Sequence, residues 1–128
     1  VNERLTDPAD ILEAAADLLV SEGWCQGAFY RDEKGMAHGN LSEAVSFCAM
    51  GAIRMVSGVY NLDGEIGFDE SRAAREARAV LHAGLNRPVP GLNRPVPAWN
   101  DEAGRTADEV VDAMRHAAKD FRNRREAA

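Results

Sequence analysis

Cys25, Cys48, His38, His82 and His116 are the residues of this 128-residue chain whose types suit nucleophilic catalysis. A cysteine hydrolase or transferase needs a thiolate within reach of an imidazole. The two thiols are unequal candidates. Cys48 lies inside a long apolar run, where burial raises a thiol's pKa and hides the sulfur, so it reads as core packing. Cys25 follows Trp24 just after a predicted helix end and lacks the N-terminal helix field that would activate it. Paired with His38 it is the candidate for a catalytic dyad. A structural zinc would need close ligand pairs, and Cys25, His38 and Cys48 are separated by 12 and 9 residues, so no metal is expected. Gly-rich phosphate loops are absent from the sequence, and no cofactor is expected either.

The remaining chemistry is polar or cationic. Asp101 and Glu102 are the carboxylates that stand beside a large aromatic, Trp99, in a predicted loop. Asn100 and Asp101 read as Asx-type turn formers ahead of the last helix, with Trp99 folded onto the core. Charge is unevenly distributed: residues 1–70 carry 13 acids against 4 bases, and residues 71–128 carry 8 against 11. The formal net charge of −6 disfavours a generic nucleic-acid coat or an anionic-membrane binder. A local basic face is conceivable where Arg72, Arg75 and Arg78 meet an Arg-rich C-terminal helix, and it would suit phosphate or an acidic protein.

These residues must be positioned by a small number of elements. Asp7-Pro8 is an N-cap followed by proline at the first helical position, and Ile11, Leu12, Ala15, Leu18 and Leu19 recur at helical spacing up to Gly23. The acids Asp10, Glu13, Asp17 and Glu22 fall on the outer face and read as solvated. Residues 27–31 and 35–38 flank a polar turn and are expected to pair as a hairpin. Asn40 and Glu43 have the form of a capping box that opens a helix over 41–56, apolar on nearly every side and therefore central. Its Ala49, Gly51 and Ala52 let a neighbouring backbone come close. Asp69 then caps a further helix running through Ala83, with Gly84 as its stop.

Residues 84–90 read Gly-Leu-Asn-Arg-Pro-Val-Pro, and residues 91–97 repeat them without change. A single tandem copy is too few units to build a repeat architecture. Residues 84–98 are expected to form an extended, Pro-containing loop that tolerates the insertion, since loop closure grows slowly with length. Thr106 and Glu109 make a second capping box, and Val110, Val111, Met114, Ala117, Ala118 and Phe121 form the buried stripe of the last helix. The basic residues near its end, Arg115, Lys119, Arg122, Arg124 and Arg125, oppose the negative end of the helix dipole.

Three segments together resemble a family of small uncharacterised proteins of bacteria and their phages. They are Trp24-Cys25-Gln26-Gly27, Cys48-Ala49-Met50-Gly51-Ala52, and the stretch from Trp99-Asn100-Asp101 to Thr106. The resemblance covers most of residues 10–118 and implies a compact fold and a prokaryotic or phage source, but no reaction, cofactor or substrate. The second heptad copy departs from the family pattern.

The expectation is therefore a mainly α domain spanning residues 1–128, with about four helices around residues 41–56 and one small hairpin. The N-terminal residues show no secretory pattern, so a cytoplasmic location with reduced thiols is expected, a Cys25–Cys48 bridge forming only under oxidising conditions. The leading functional reading is a non-enzymatic protein-interaction module, presenting Trp24, Trp99, Asn100 and Asp101 to another protein or to a second copy. A cysteine-dependent hydrolase or transferase using Cys25 and His38, and a nucleic-acid-binding accessory protein, are the alternatives.

Overall fold

The computed structural model describes residues 5–37, 43–57 and 71–127. Within them the order is α1 (Pro8–Ser21), β1 (Tyr30–Arg31), β2 (Ser46–Phe47), α2 (Ala49–Ser57), α3 (Arg72–Asn86), α4 (Val96–Asn100) and α5 (Ala107–Ala127). The protein is mainly helical, with five helices among the described residues and one short antiparallel strand pair.

The first helix starts as its sequence dictates. Asp7 is extended and its carboxylate accepts from Asp10 N at 3.1 Å, with Pro8 at the first turn. Ala9, Ile11, Leu12, Ala15, Ala16 and Leu19 are buried, and this stripe packs against α5, α2 and α3. Burying each larger aliphatic side chain contributes about 1.5–3 kcal/mol, which fixes the helix to its neighbours more firmly than propensity does.

The strand pair differs from expectation. Tyr30–Arg31 pairs with Ser46–Phe47, in the register Tyr30↔Phe47 and Arg31↔Ser46, and not with residues 35–37, the described part of the expected partner strand. The turn itself exists: Asp32 Oδ1 accepts from Lys34 N and Met36 N at 2.9 Å each, and Asp32 N donates to Met36 O at 3.0 Å. Beyond it Met36 and Ala37 are exposed, while Phe47 and Tyr30 are both buried and face each other across the ladder. Burial of that aromatic pair chose the partner. His38 lies outside the described residues.

The same ladder shortens the central helix. Phe47 is held from both sides, by the Tyr30 pairing on one and by the 23–25 segment on the other, its N donating to Gly23 O and its O accepting from Cys25 N, each at 3.0 Å. An extended residue cannot also be helical, so α2 begins at Ala49 instead of residue 41. Asn40 lies outside the described residues and Glu43 sits before the helix, so the cap is supplied elsewhere. Cys48 O accepts from Ala52 N at 2.9 Å and Cys48 Sγ accepts from Gly51 N at 3.3 Å, a thiol standing where a hydroxyl or carboxylate oxygen usually caps. The apolar character of α2 does bury it: Ala49, Met50, Gly51, Ala52, Ile53 and Ser57 are all inside. A Cβ on Gly51 would fall 1.9 Å from Phe29 O, so a backbone does approach here as the small residues suggested.

Helix α3 is capped by Ser71, whose hydroxyl accepts from Ala74 N at 3.0 Å; Asp69 lies outside the described residues. The helix continues through Gly84 to Asn86. Gly84 is not a stop but a crossing point, since a Cβ there would lie 3.3 Å from Ala117 Cβ on α5. The helix ends where Pro88 forbids its continuation. Residues 84–86 of the duplicated stretch thus belong to α3, and residues 96–100 form α4.

The last helix matches its signals. Thr106 N donates to Glu109 Oε1 at 3.0 Å and Glu109 N to Thr106 Oγ1 at 3.2 Å, the reciprocal pair of a capping box. Val110, Val111, Met114, Ala117 and Ala118 are buried. No helix among the described residues is long and apolar enough to cross a membrane.

Candidate functional site

Short helix α4 delivers Asn100 to the centre of the molecule. Trp99, buried beside it, has the Arg105 guanidinium 4.3 Å above its ring, and Arg105 Nε donates to Trp99 O at 3.0 Å. Asn100 is fully buried. Its Nδ2 donates to Cys25 O at 3.2 Å and to Asp101 Oδ1 at 2.9 Å. Its Oδ1 accepts from Trp24 Nε1 at 2.8 Å and from Ala49 N at 3.0 Å. Both donors and both acceptor positions of the carboxamide are used.

The placement has a simple backbone logic. Trp24 and Phe47 form a parallel bridge, and the next rung of such a ladder would join Ala49 N to Cys25 O. Asn100 inserts its side-chain amide into that rung, accepting from the one and donating to the other. Around it, Gln26 Nε2 donates to Asn100 O and Glu102 O at 3.0 Å each, and Gly27 N donates to Asp101 Oδ1 at 3.0 Å. Arg31 donates to Gln26 O at 2.9 Å. The joint therefore ties the 24–27 loop, the start of α2 and the end of α4 together.

Both cysteines border this joint, free and buried. Desolvation raises the Cys25 thiol above its ordinary pKa, against the opposing pull of a Ser46 hydrogen bond and the Arg31 charge. Desolvation pushes Cys48 up to about 11, against the hydrogen bond from Gly51 N. A catalytic cysteine activated at neutral pH needs the reverse shift. Among the described residues, the groups acting most on Cys25 are Ser46, Arg31 and Asp101, with no imidazole among them. His38 lies outside the described residues; His82 and His116 line separate open grooves, one of about 330 Å³ with Arg78 and Pro95, the other of about 530 Å³ with Glu109 and Asp112. Neither groove is lined by Cys25 or Cys48. Among the described residues no three of His, Cys, Asp and Glu cluster as a metal site.

Of the candidates named from sequence, the fold brings Trp24, Cys25, Cys48, Trp99, Asn100 and Asp101 to one place. Trp24, Cys25, Asn100 and Asp101 spend polar atoms on one another, whereas the Cys48 sulfur and the Trp99 carbonyl bond Gly51 and Arg105. Asn100 and Asp101 do share a local bond, but they also bond residues 51 to 76 positions away, so they close a tertiary joint in addition to a turn. Gln26 and Arg105 were missed as partners. Gln26 stands 74 positions from Asn100 and Arg105 follows the Trp-Asn-Asp segment at no helical or strand spacing of its own, so no period reveals either.

The arginines are likewise engaged. Arg115 bonds Asp17 at 3.0 Å, Arg122 bonds Asp10 at 2.8 Å and Glu13 at 3.3 Å, and Arg125 bonds Asp7. The acids of α1 read as solvated are thus in large part the counterions of α5. On α3, Arg72, Arg75 and Arg78 are exposed, and Arg72 pairs with Glu76 at 3.3 Å.

Residues 3–120 match the model of a family of unknown function, DUF6197, and the chain belongs to that family. No curated protein and no solved structure matches it.

Proposed function

We propose that this chain is a non-enzymatic protein-interaction module of bacterial or phage origin, acting in the cytoplasm, and that its contact surface is the arch formed by residues 27–37. The observation that carries this reading is the exposure of two large apolar side chains there, Phe29 at 39% and Met36 at 45%, on a backbone that is tied down. Phe29 O accepts from Cys48 N at 3.1 Å beneath Phe29. Arg31 donates to Gln26 O and Gly35 O at 2.9 Å each, bracing the arch across its base. Asp32 closes the turn. A preordered apolar tip loses little conformational entropy on binding. The grooves lined by His82 and His116 contain neither thiol, which supports the same reading, since the hydrolase alternative requires a thiol and an imidazole together.

The Trp24 and Trp99 region serves this surface indirectly, as the foundation beneath the arch. A photo-crosslinking residue at position 29 tests the assignment in the native host. The expected result is one dominant crosslinked species, either a second copy or a single partner, lost when Met36→Asp is introduced. A chain that stays monomeric and yields no discrete crosslinked species overturns it.

A further inference from the structure

The backbone brings the two thiols into register. In the parallel bridge Trp24↔Phe47, Cys25 and Cys48 are the next residues along the two strands. Cys25 N donates at 3.0 Å to Phe47 O, the carbonyl of the peptide that joins Phe47 to Cys48, which sets the two cysteines side by side, as a disulfide with its Cα separation of about 4.4–6.8 Å requires. Side-chain alternation puts Ser46 on the face that Cys48 occupies, and the Ser46 side chain hydrogen-bonds the Cys25 thiol, which sets all three on one side of the ladder. A charge on Cys25 raises Cys48, as expected of sulfurs sharing one desolvated space. Cys25 Sγ also reaches Ala28 O over 3.6 Å, and Cys48 Sγ accepts from Gly51 N over 3.3 Å.

We propose that Cys25 and Cys48 form a reversible disulfide, a redox latch that fastens the 24–27 loop to the start of α2 when a small peroxide enters. Cys25 attacks first, because it is nearer the surface and, although burial and the Asp101 charge raise its thiol, Ser46 and Arg31 oppose that rise, whereas Cys48 is pushed up to about 11. Its sulfur bonds to one peroxide oxygen, the O–O bond breaks, and the departing oxygen takes up a proton to leave as water. Cys48, as thiolate, then attacks the resulting sulfenic sulfur. The S–S bond forms, the S–O bond breaks, and a second water leaves. Two thiols have given up two electrons and two protons, and the peroxide is reduced to two waters. The bond spans the joint that Asn100 holds by hydrogen bonding, so oxidation keeps the joint closed under conditions that would open it.

Hydrogen peroxide on the native chain, followed by acid quench and non-reducing peptide mapping, tests the latch. The expected product is a Cys25–Cys48 peptide lighter by two hydrogens and restored by dithiothreitol. Its rate of formation rises roughly tenfold between about pH 7 and about pH 8, following the thiolate fraction. Cys48→Ser, whose hydroxyl can keep capping α2, stops at a Cys25 sulfenic acid trapped by dimedone. Oxidation that yields intermolecular dimers or a Cys25 sulfinic acid in place of the internal peptide overturns the proposal. So does a crosslink that forms only in denaturant.

Discussion

Asn100 is a case where one side chain does the work of a strand. Its carboxamide stands in for the peptide group that would continue the ladder between Cys25 and Ala49, and it satisfies the Trp24 indole as well. Asn100→Ala would leave two buried donors and a buried acceptor without partners. Unmade bonds of this kind cost about 1–3 kcal/mol each, so urea denaturation should show a loss of about 3 kcal/mol or more, with Trp24 emission shifted to the red. Gly51 offers a test with opposing terms. Alanine would raise helix propensity by about 1 kcal/mol, yet its Cβ would sit 1.9 Å from Phe29 O, an oxygen already bonded to Cys48 N. Overpacking of that severity wins. Gly51→Ala is expected to destabilise by about 3 kcal/mol or more in the same measurement, whereas a stabilised variant would show that no backbone approaches α2 here.

The duplicated heptad shows how identical sequences take different structures. In the first copy Leu85 and Asn86 complete α3, and Asn86 is buried; in the second Val96 is buried at the start of α4, while Val89, its twin, is exposed. The excursion between them returns to its origin: Asn86 Oδ1 accepts from Arg94 N at 2.7 Å and Asn86 Nδ2 donates to Arg94 O at 3.0 Å. Arg94 also reaches Leu85 O at 3.1 Å. Removing either copy gives the same chain, in which Asn86 is followed directly by the arginine that now lies against it. Because the ends of the loop already meet, that deletion variant should fold with its core intact and a Tm within about 5 °C of the parent, as calorimetry would read. Loss of cooperative melting would show that the second copy is structurally required.

Across the whole molecule, the reversal of charge along the chain becomes a seam between α1 and α5. Exposed ion pairs are each worth about 0–1 kcal/mol, so their effect is to set the pairing and alignment of the two helices more than to add stability. The Asp7 carboxyl is raised by burial but lowered more by hydrogen bonds from Arg125 and the Asp10 backbone, and its pKa lies below the usual value. Glu109, bonded by the Thr106 backbone and hydroxyl, and Asp120, bonded by Arg124, are lowered too. A carboxylate depressed in the folded state contributes stability that is present above its unfolded pKa and is lost as pH falls through the folded one. Tm should therefore decline as pH is taken from about 5 to about 3, and Asp7→Asn should flatten part of that slope. A Tm independent of pH in this window would contradict the lowered carboxyls of Asp7, Glu109 and Asp120.

Elements specified by neighbours in sequence were legible without coordinates. The Asp7-Pro8 start, the Thr106 and Glu109 box and the apolar stripes of α1 and α5 depend on bonds and faces within one helix, where spacing alone carries the information. The strand partner of Tyr30, the late start of α2, the passage of α3 through Gly84 and the burial of Asn100 depended on tertiary structure. Each was decided by a contact between distant segments: Phe47 held from two sides, Ala117 crossing α3, a carboxamide filling a missing rung. Local pattern carries no record of such meetings, because the free energy that selects them comes from burying surfaces and satisfying polar groups that become neighbours only when the chain has folded.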